Sequence, residues 1–304
     1  MNALIKKAIL ACALTSFALS SANAADYLST NGEIVAIHDI VDSSGSLNYT
    51  PTLGAFDLKN SSLGNSSGGR FSVFTNGARG QINLDNSSLY VYDILGDSFT
   101  VYMQNNSYLH TDNGITMPDG SGGITIRNSR IKASTITTED LSLMDGSYGE
   151  FTAVSTRLVH IENSTWVATG VSTLEFLELG GTLEMRMSSA MDAIYVSNKI
   201  LVSNSYPSYI NFTFTEDFIE SILFGDGYFD LIRANTIVGT MIAPPDTPSY
   251  SVANSNDTYS WTVSHISGGW RISDINLIAI PEPSTYAAIF GFIALVVVAY
   301  KRRK

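Results

Sequence analysis

The chain has 304 residues, of which 17 are basic and 28 are acidic, and its formal net charge is −11. Such an excess of carboxylates lacks the basic footprint that nucleic-acid binding requires, so we expect no nucleic-acid partner. The single cysteine, Cys12, excludes an internal disulfide and a thiolate metal site. Stability must therefore come from apolar burial and backbone hydrogen bonds.

Residues 1–24 have the pattern of a secretory signal peptide. Two lysines precede an apolar stretch (residues 8–19), which is shorter than the roughly 20 residues that a membrane-spanning helix needs. Because Cys12 lies early in this stretch, cleavage by signal peptidase is favoured over the alternative of a lipoprotein site. The predicted cleavage pattern is formed by Ala22, Ala24 and Ala25.

The exported body, residues 25–280, is expected to be mostly β. It contains 11 of the basic and 27 of the acidic residues, a net charge near −16. Ser, Thr, Asn, Gly, Val, Ile and Tyr dominate its composition, as is typical of strands and turns. An acidic surface of this kind suits a cation-rich exterior, where calcium could lie among the strands.

A short phrase recurs eight times in the body, with the form apolar-x-apolar-x-(Asn/Asp/Gly)-Ser-x-apolar. Its copies are FDLKNSSLG, INLDNSSLYV, VYMQNNSYLH, ITIRNSRIKA, LSLMDGSYGEF, LVHIENSTWVA, LEMRMSSAM and ILVSNSYPSYI. The residues before the shared serine are Asn60, Asn86, Asn106, Asn128, Gly146, Asn163, Met187 and Asn204. They are 17 to 26 residues apart, the size of one coil of a solenoid.

Each copy predicts two short strands that meet at a tight corner. Alternate apolar residues such as Ile82, Leu84 and Leu89 would point inward, and asparagine tolerates the left-handed backbone that a corner needs. We therefore expect a right-handed parallel β-helix over residues 25–208, similar to autotransporter-type repeat bodies. A β-sandwich is the alternative, because alternation and turn residues would suit it too.

Residues 209–280 are expected to cap the solenoid, whose last coil would otherwise expose an open edge. A short helix is predicted from Glu216 to Phe224, with Thr215 as its N-cap. After a proline-rich break, residues 249–280 predict two or three antiparallel strands. Their turns would lie at Asn256-Asp257 and Gly268-Gly269.

No residue pattern in the body predicts a catalytic site, so we expect a protein that is not an enzyme. The histidines at 38, 110, 160 and 265 are far apart, and His160 should point outward beside Glu162. Five carboxylates could align on one face as in β-helix polysaccharide lyases, but their offsets within the repeats differ: Asp85, Glu139, Asp140, Asp145 and Glu162.

Two binding sites are weaker expectations. Asp226 and Asp230 could bind calcium around Gly227, although a plain turn is favoured. Several aromatic side chains could stack on sugar rings, although packing between neighbouring coils is favoured. These aromatic residues are Tyr90, Tyr92, Tyr102, Tyr108 and Trp166.

The last 24 residues have three parts. The sequence Pro281-Glu282-Pro283-Ser284 should stay extended because its prolines cannot continue a helix or a ladder. The uncharged residues 284–300 predict a transmembrane helix, at the short end of the usual length. A basic tail should face the cytoplasm and consists of Lys301, Arg302, Arg303 and Lys304.

This order of parts closely resembles the PEP-CTERM sorting signal of Gram-negative bacteria. The resemblance implies that Pro281, Glu282 and Pro283 are read by an exosortase, a membrane cysteine peptidase that removes the tail. It also implies an inner-membrane intermediate, followed by release to the outer surface or the extracellular matrix.

From both ends together we expect an exported, non-catalytic surface or extracellular-matrix protein that associates with exopolysaccharide and has no cofactor. Two alternatives stay open. One is a polysaccharide lyase or hydrolase on the same scaffold, and the other is an adhesin that stays anchored by an ordinary membrane helix.

Overall fold

The computed structural model describes residues 26–278 with gaps, together with Phe292 and Ile293. The gaps are 31–34, 39–40, 43–45, 51–54, 65–70, 76–79, 118–121, 190–191, 204, 240–248, 253–254 and 257. The described elements are β1 (Asp26–Thr30), β2 (Val35–His38), β3 (Val41–Asp42), β4 (Ser46–Thr50), β5 (Ala55–Lys59), β6 (Ser62–Leu63), β7 (Phe71–Thr75), β8 (Gly80–Asp85), β9 (Ser88–Gly96), β10 (Phe99–Gln104), β11 (Tyr108–Thr116), β12 (Gly123–Arg127), β13 (Arg130–Met144), β14 (Tyr148–Ala168), β15 (Ser172–Met187), β16 (Ile194–Val202), β17 (Tyr209–Phe214), α1 (Glu216–Leu223), β18 (Phe229–Gly239), β19 (Ser249–Val252), β20 (Tyr259–Ile266) and β21 (Gly269–Leu277).

The strands form a β-solenoid, and the sandwich alternative is wrong. Every described pairing among β1 to β19 is parallel, and most of the strands from β5 to β18 pair with strands of the coils before and after them. A Greek-key sandwich would instead pair its strands in antiparallel fashion. The parallel stacking places equivalent residues of successive coils next to each other, about 4.8 Å apart.

The registers sort the parallel strands into three columns. Face A consists of residues 35–38, 55–59, 80–85, 99–104, 123–127, 140–144, 158–162, 176–179, 199–202 and 236–239. Face B consists of 41–42, 62–63, 88–91, 108–111, 130–133, 148–151, 165–168, 182–187, 209–214 and 249–252. Face C consists of 71–75, 93–96, 114–116, 135–138, 153–156, 172–174, 194–196 and 232–234. The separate parallel pair of β1 and β4 lies next to it, with β4 in contact with β7.

The predicted inward residues fill the interior of the solenoid. Ile82, Leu84 and Leu89 are fully buried, as expected from the period of two. Strand β8 alternates strictly between buried and partly exposed positions, and β10 repeats its pattern one coil later. The core is therefore one continuous column of apolar side chains from coil to coil.

The corner between faces A and B has the predicted conformation. Asn60, Asn86, Asn128 and Asn163 have φ between 43° and 48°, the left-handed region that asparagine tolerates. In two coils the corner is one residue longer, so Asn105 and Asp145 are left-handed as well. Only a short polar side chain or glycine fits this backbone without a large penalty.

A serine ladder runs along the buried side of these corners. Each backbone N–H donates to the hydroxyl of the equivalent serine in the next coil, over 3.0 to 3.3 Å. Most of these hydroxyls also donate to a carbonyl of their own coil, as that of Ser87 does to Asp85 at 2.8 Å. The ladder residues are Ser61, Ser87, Ser107, Ser129, Ser147 and Ser164.

One of the eight predicted corners between faces A and B is wrong. Met187 is the last residue of β15 on face B, and the corner opposite Ser164 is instead Gly180-Gly181. The phrase at Met187 marks the turn from face B to face C, because β16 begins on face C at Ile194. The last predicted corner residue, Asn204, lies outside the described residues, between the end of β16 at Val202 and the start of β17 at Tyr209.

Parallel stacking continues past residue 208. Strand β17 pairs in parallel with β15, and β18 pairs in parallel with β16. Strand β19, expected to be antiparallel, is parallel to β17. Only β20 and β21 form an antiparallel hairpin, with its turn at Ser267-Gly268 and Gly268 at φ +83°.

Helix α1 and the hairpin close the C-terminal end of the core. The predicted N-cap is confirmed, because the Thr215 hydroxyl accepts from the N–H of Phe218. The ring of Phe218 is fully buried and packs edge-on against Phe229. Strand β21 pairs antiparallel with the free edge of β18, so that edge of face C is covered.

The predicted signal peptide (1–24) and sorting tail (281–304) lie outside the described residues, apart from Phe292 and Ile293. Within the described part of the chain, no helix has both the length and the apolarity to cross a bilayer.

Candidate functional site

The serine ladder stops at the coil that begins with β15, and a recess opens there. Gly181 has no hydroxyl to accept a bond from Ser164, and a β-carbon at Gly181 would collide with the carbonyl oxygen of Ser164. A β-carbon at Gly180 would lie 2.8 Å from that of Ser203. The close approach of the backbones therefore requires glycine at both positions, and it leaves the outer corner without side chains.

The next corner, which follows β16, is longer than the earlier ones. Strand β16 ends at Val202 and β17 begins at Tyr209, whereas the earlier corners between faces A and B have two or three residues between their strands. Near its end, Ser208 donates from its hydroxyl to the carbonyl of Leu179 at 2.6 Å, as Ser147 does to Ile126 at 2.9 Å. Tyr206 is partly exposed, and together with Gly180 it lines two cavities.

The first cavity, on face A, has a volume of about 250 Å3 and contains a histidine between two carboxylates. His160 Nδ1 lies 2.7 Å from Glu178 Oε2, and His160 Nε2 lies 3.3 Å from Glu162 Oε2. All three side chains are partly exposed. The outward direction predicted for His160 is thus confirmed, and so is its position beside Glu162.

The second cavity, on face B, has a volume of about 270 Å3 and is mainly neutral and polar. Asn163, Thr165 and Thr182 line it together with Tyr206 and Tyr209. The side chain of Tyr209 is 48% exposed, so its ring is available to a ligand. Both cavities share Gly180 and Tyr206, and together they form one recess around Tyr206.

A third cavity of about 170 Å3 lies further along face B, in a row of stacked side chains. The row runs through Tyr90, His110, Lys132 and Glu150, one from each successive coil. Lys132 Nζ lies 2.8 Å from Glu150 Oε1. The hydrogen bond with Glu150 raises the pKa of Lys132, and the same bond lowers the pKa of Glu150. Lys132 and Glu150 neutralise each other, so this row contains a partly exposed ion pair rather than an open site.

The aromatic side chains predicted as sugar platforms mostly pack against the protein itself. Trp166 is fully buried, so stacking of its ring on a sugar is excluded. Tyr90 and Tyr108 pack edge-to-face with centroids 5.5 Å apart, and the Tyr108 hydroxyl lies 3.3 Å from His110 Nδ1. Burial raises the pKa of Tyr108. Tyr92, at 37% exposed, stays open to solvent.

The other predicted carboxylates have separate partners. Asp85 accepts from Asn105, Asp145 pairs with Arg127, and Glu139 and Asp140 both contact Arg157. Burial raises the pKa of Asp140. Glu162 is the one of the five that lies in a cavity.

The predicted calcium residues do not come together as a pair of ligands. Both oxygens of Asp230 accept from arginines, Arg271 at 2.6 Å and Arg233 at 2.6 Å. Gly227, at φ +76°, donates to the carbonyl of Ile222 and ends helix α1. The plain turn, favoured from the sequence, is therefore the geometry at Asp226 as well.

The remaining histidines and metal ligands add no further site. His265 packs edge-on against Trp270 with centroids 5.2 Å apart, and the side chain of His38 lies outside the described residues. Across the described ranges, no group of three His, Cys, Asp or Glu side chains is placed to hold a metal ion. The chemistry that the recess offers is hydrogen bonding, carboxylate charge and aromatic stacking.

The sequence interpretation missed Glu178, Gly180 and Tyr206. A signal for the glycines exists, since Gly180 follows Asn163 by 17 residues, the step between the two preceding corners. Glu178 required the register, which pairs its Cα with that of His160. Tyr206 required the length of the corner between Val202 and Tyr209, which the short repeated phrase does not contain.

Comparison with known proteins gives no relative for this arrangement: no family model matches the chain, and no curated protein or solved structure is similar to it.

Proposed function

We propose that the chain is an exported, non-catalytic protein of the cell surface or extracellular matrix that associates with exopolysaccharide. The observation that carries the proposal is the order of the last 24 residues, Pro281-Glu282-Pro283-Ser284, then an apolar stretch, then four cations. That order resembles a PEP-CTERM signal, and it follows a body whose coils stack into a solenoid. Signal peptidase and an exosortase are the processing partners, and the inner membrane is a transient location.

The body suits this role because its stacked coils present long polar faces on a filled core. A solenoid gains binding surface with every coil, which favours extended ligands such as polysaccharides. We take the winding to be right-handed, since crossovers between parallel strands of one sheet are nearly always right-handed.

The test of sorting is the intact mass of the mature protein. It would be purified from a host that contains an exosortase and from a matched host without it. With the exosortase we expect a chain that begins at Ala25 and lacks the residues beyond Pro283. Replacing Pro281, Glu282 and Pro283 by alanine should leave the tail attached.

The matched control replaces another proline pair, Pro244 and Pro245, by alanine and should be processed normally. If the residues beyond Pro283 persist in both hosts, sorting by an exosortase is wrong. The protein would then be an adhesin anchored by its C-terminal helix.

A polysaccharide lyase or hydrolase is a second candidate, favoured by one observation. His160 lies between two carboxylates in a cavity, and these residue types perform acid–base chemistry. New reducing ends or unsaturated uronates in polysaccharide incubated with the protein, absent with Glu178→Gln, would assign this activity instead.

A further inference from the structure

At the recess around Tyr206, two successive corners depart from the repeated pattern of the solenoid. Below it, Gly180 and Gly181 remove the side chains that fill every earlier corner from Ser61 to Ser164. Above it, the next corner is longer than the earlier ones, and its residues Ser205, Tyr206 and Pro207 line the cavities. A uniform scaffold would need neither change, which points to a ligand that fits the gap.

The size of the recess suits one ring at a time. Its two cavities have volumes of about 250 and 270 Å3. Pockets that bury a drug-sized ligand have volumes of roughly 300–1,000 Å3, so each cavity holds a smaller group. They meet at Tyr206, which would let neighbouring units of a chain occupy both.

The charged side chains that line the recess favour a ligand with a positive charge. Among the described residues that line the two cavities, none is Lys or Arg, whereas Glu162 and Glu178 are both present. His160 contacts Oε2 of each carboxylate, so neither contact uses an Oε1 atom. An anionic uronate would be repelled here, and an ammonium group would gain charge-assisted hydrogen bonds.

The aromatic walls add contacts suited to a sugar ring. Tyr206 is partly exposed and shared by both cavities, and Tyr209 is 48% exposed. Asn163, Thr165 and Thr182 supply neutral hydrogen-bonding groups on the second side. An ammonium near an aromatic face is attracted further by its quadrupole.

We infer that the recess binds an amino sugar with a free ammonium group, as a unit of a polysaccharide. The ammonium lies at Glu162 and Glu178, and the sugar ring lies against Tyr206. His160 lies between the two carboxylates, with one ring nitrogen at each of them. The inference rests on the proposed association with exopolysaccharide, for which it names the class of sugar.

The test is calorimetric titration of the full chain with short glucosamine oligomers. The matched ligand is the N-acetylated oligomer of the same length, which has the same ring but no ammonium. A titration with monomeric glucosamine distinguishes binding of a free sugar from binding of a polymer unit. The monomer should bind more weakly than the oligomer. We expect acetylation to weaken binding about tenfold or more, the effect of losing a hydrogen bond between charged groups.

Two variants localise the binding. Glu178→Gln removes one charge, and Tyr206→Ala removes the aromatic wall, and each should weaken binding of the glucosamine oligomer about tenfold. The control is Glu175→Gln, an exposed carboxylate on the same strand that lines neither cavity. It should change the affinity less than about twofold, as surface charges away from a site do. Far-ultraviolet circular dichroism checks that all variants keep the fold.

The inference is overturned if Glu175→Gln weakens binding as much as Glu178→Gln does, because the attraction would then come from the acidic surface as a whole. Equal binding of the acetylated oligomer, or no binding of either, overturns it too. A processed tail with no amino-sugar binding would leave the proposed sorting intact. A persistent tail with intact binding would overturn the sorting alone.

Discussion

The coils between residues 55 and 169 and the chain from residue 172 to residue 277 stack in the same parallel way but turn their corners differently. In the first region, the serine-stacked segment, one short corner repeats with left-handed asparagine and a buried serine. In the second, the C-terminal segment, the corners are a glycine pair and a longer loop, and a helix and a hairpin follow. Regular stacking stabilises the solenoid. The irregular corners leave room for the recess, and the helix and the hairpin end the stack of coils.

The largest expected effect is the loss of a large core side chain from the serine-stacked segment. Phe151 is almost fully buried between coils, so Phe151→Ala should lower the free energy of unfolding by about 3–5 kcal/mol. Trp261→Ala in the hairpin should cost less, because Trp261 is 7% exposed and the end of a solenoid can relax. Urea titrations followed by circular dichroism would measure both. A larger cost at Trp261 would show that the hairpin, not the stacked coils, controls unfolding.

The serine ladder should contribute the next largest amount. Ser107→Ala removes the hydroxyl that accepts from the N–H of Ser87 and leaves a buried donor unpaired. We expect a loss of about 1–3 kcal/mol in the free energy of unfolding. The control, Ser155→Ala on the exposed side of face C, should stay within about 0.5 kcal/mol. Equal stabilities of the two variants would contradict a stabilising ladder.

Acid should act first on the C-terminal segment, through Asp230. Burial opposes ionisation of this carboxyl, but the bonds from Arg271 and Arg233 hold its pKa below the ordinary value. The stabilisation is therefore complete above the unfolded pKa of about 4 and is lost as the pH falls through the lower folded pKa. Below that window, hydrogen exchange in β21 should quicken before exchange in β12.

The contribution of Asp230 can also be tested at neutral pH, by removing its partner Arg271. Arg271→Ala leaves the 6% exposed carboxylate with one partner and should cost about 1–2 kcal/mol, between the values of exposed and buried pairs. Arg127→Ala, which breaks the exposed pair with Asp145, is the control and should cost less. This role of Asp230 would be contradicted if hydrogen exchange in β21 stayed unchanged both at low pH and in the Arg271→Ala variant.

The smallest effect is expected in the stacked row on face B. Lys132 is 50% exposed, so removing its pair with Glu150 by Lys132→Ala should cost less than about 1 kcal/mol. Glu150 would then lose the hydrogen bond that lowers its pKa, and a nuclear magnetic resonance titration should show that pKa rise. A cost similar to that of Ser107→Ala would mean that the outer rows matter as much as the inner ladder.

The repeat phrase predicted the solenoid because it encodes local chemistry. Asn60, Asn86 and Asn128 mark corners by their tolerance of a left-handed backbone, and the alternation of Ile124 and Ile126 marks inward positions. The same phrase was misleading at Met187, because a local pattern does not report which coil lies beside it. There the register decided, and it placed the corner at Gly180.

The sequence by itself determined the strand period, most of the corner positions, the helix capped by Thr215 and the acidic character of the body, since each depends on neighbouring residues or on composition. Only the tertiary structure decided which side chains of different coils meet. Glu178 reaches His160 because a step of 18 residues closes one coil there, and Tyr206 lines the same cavity as Gly180 because the next corner is longer. These contacts depend on the length of every intervening turn, which no short pattern contains.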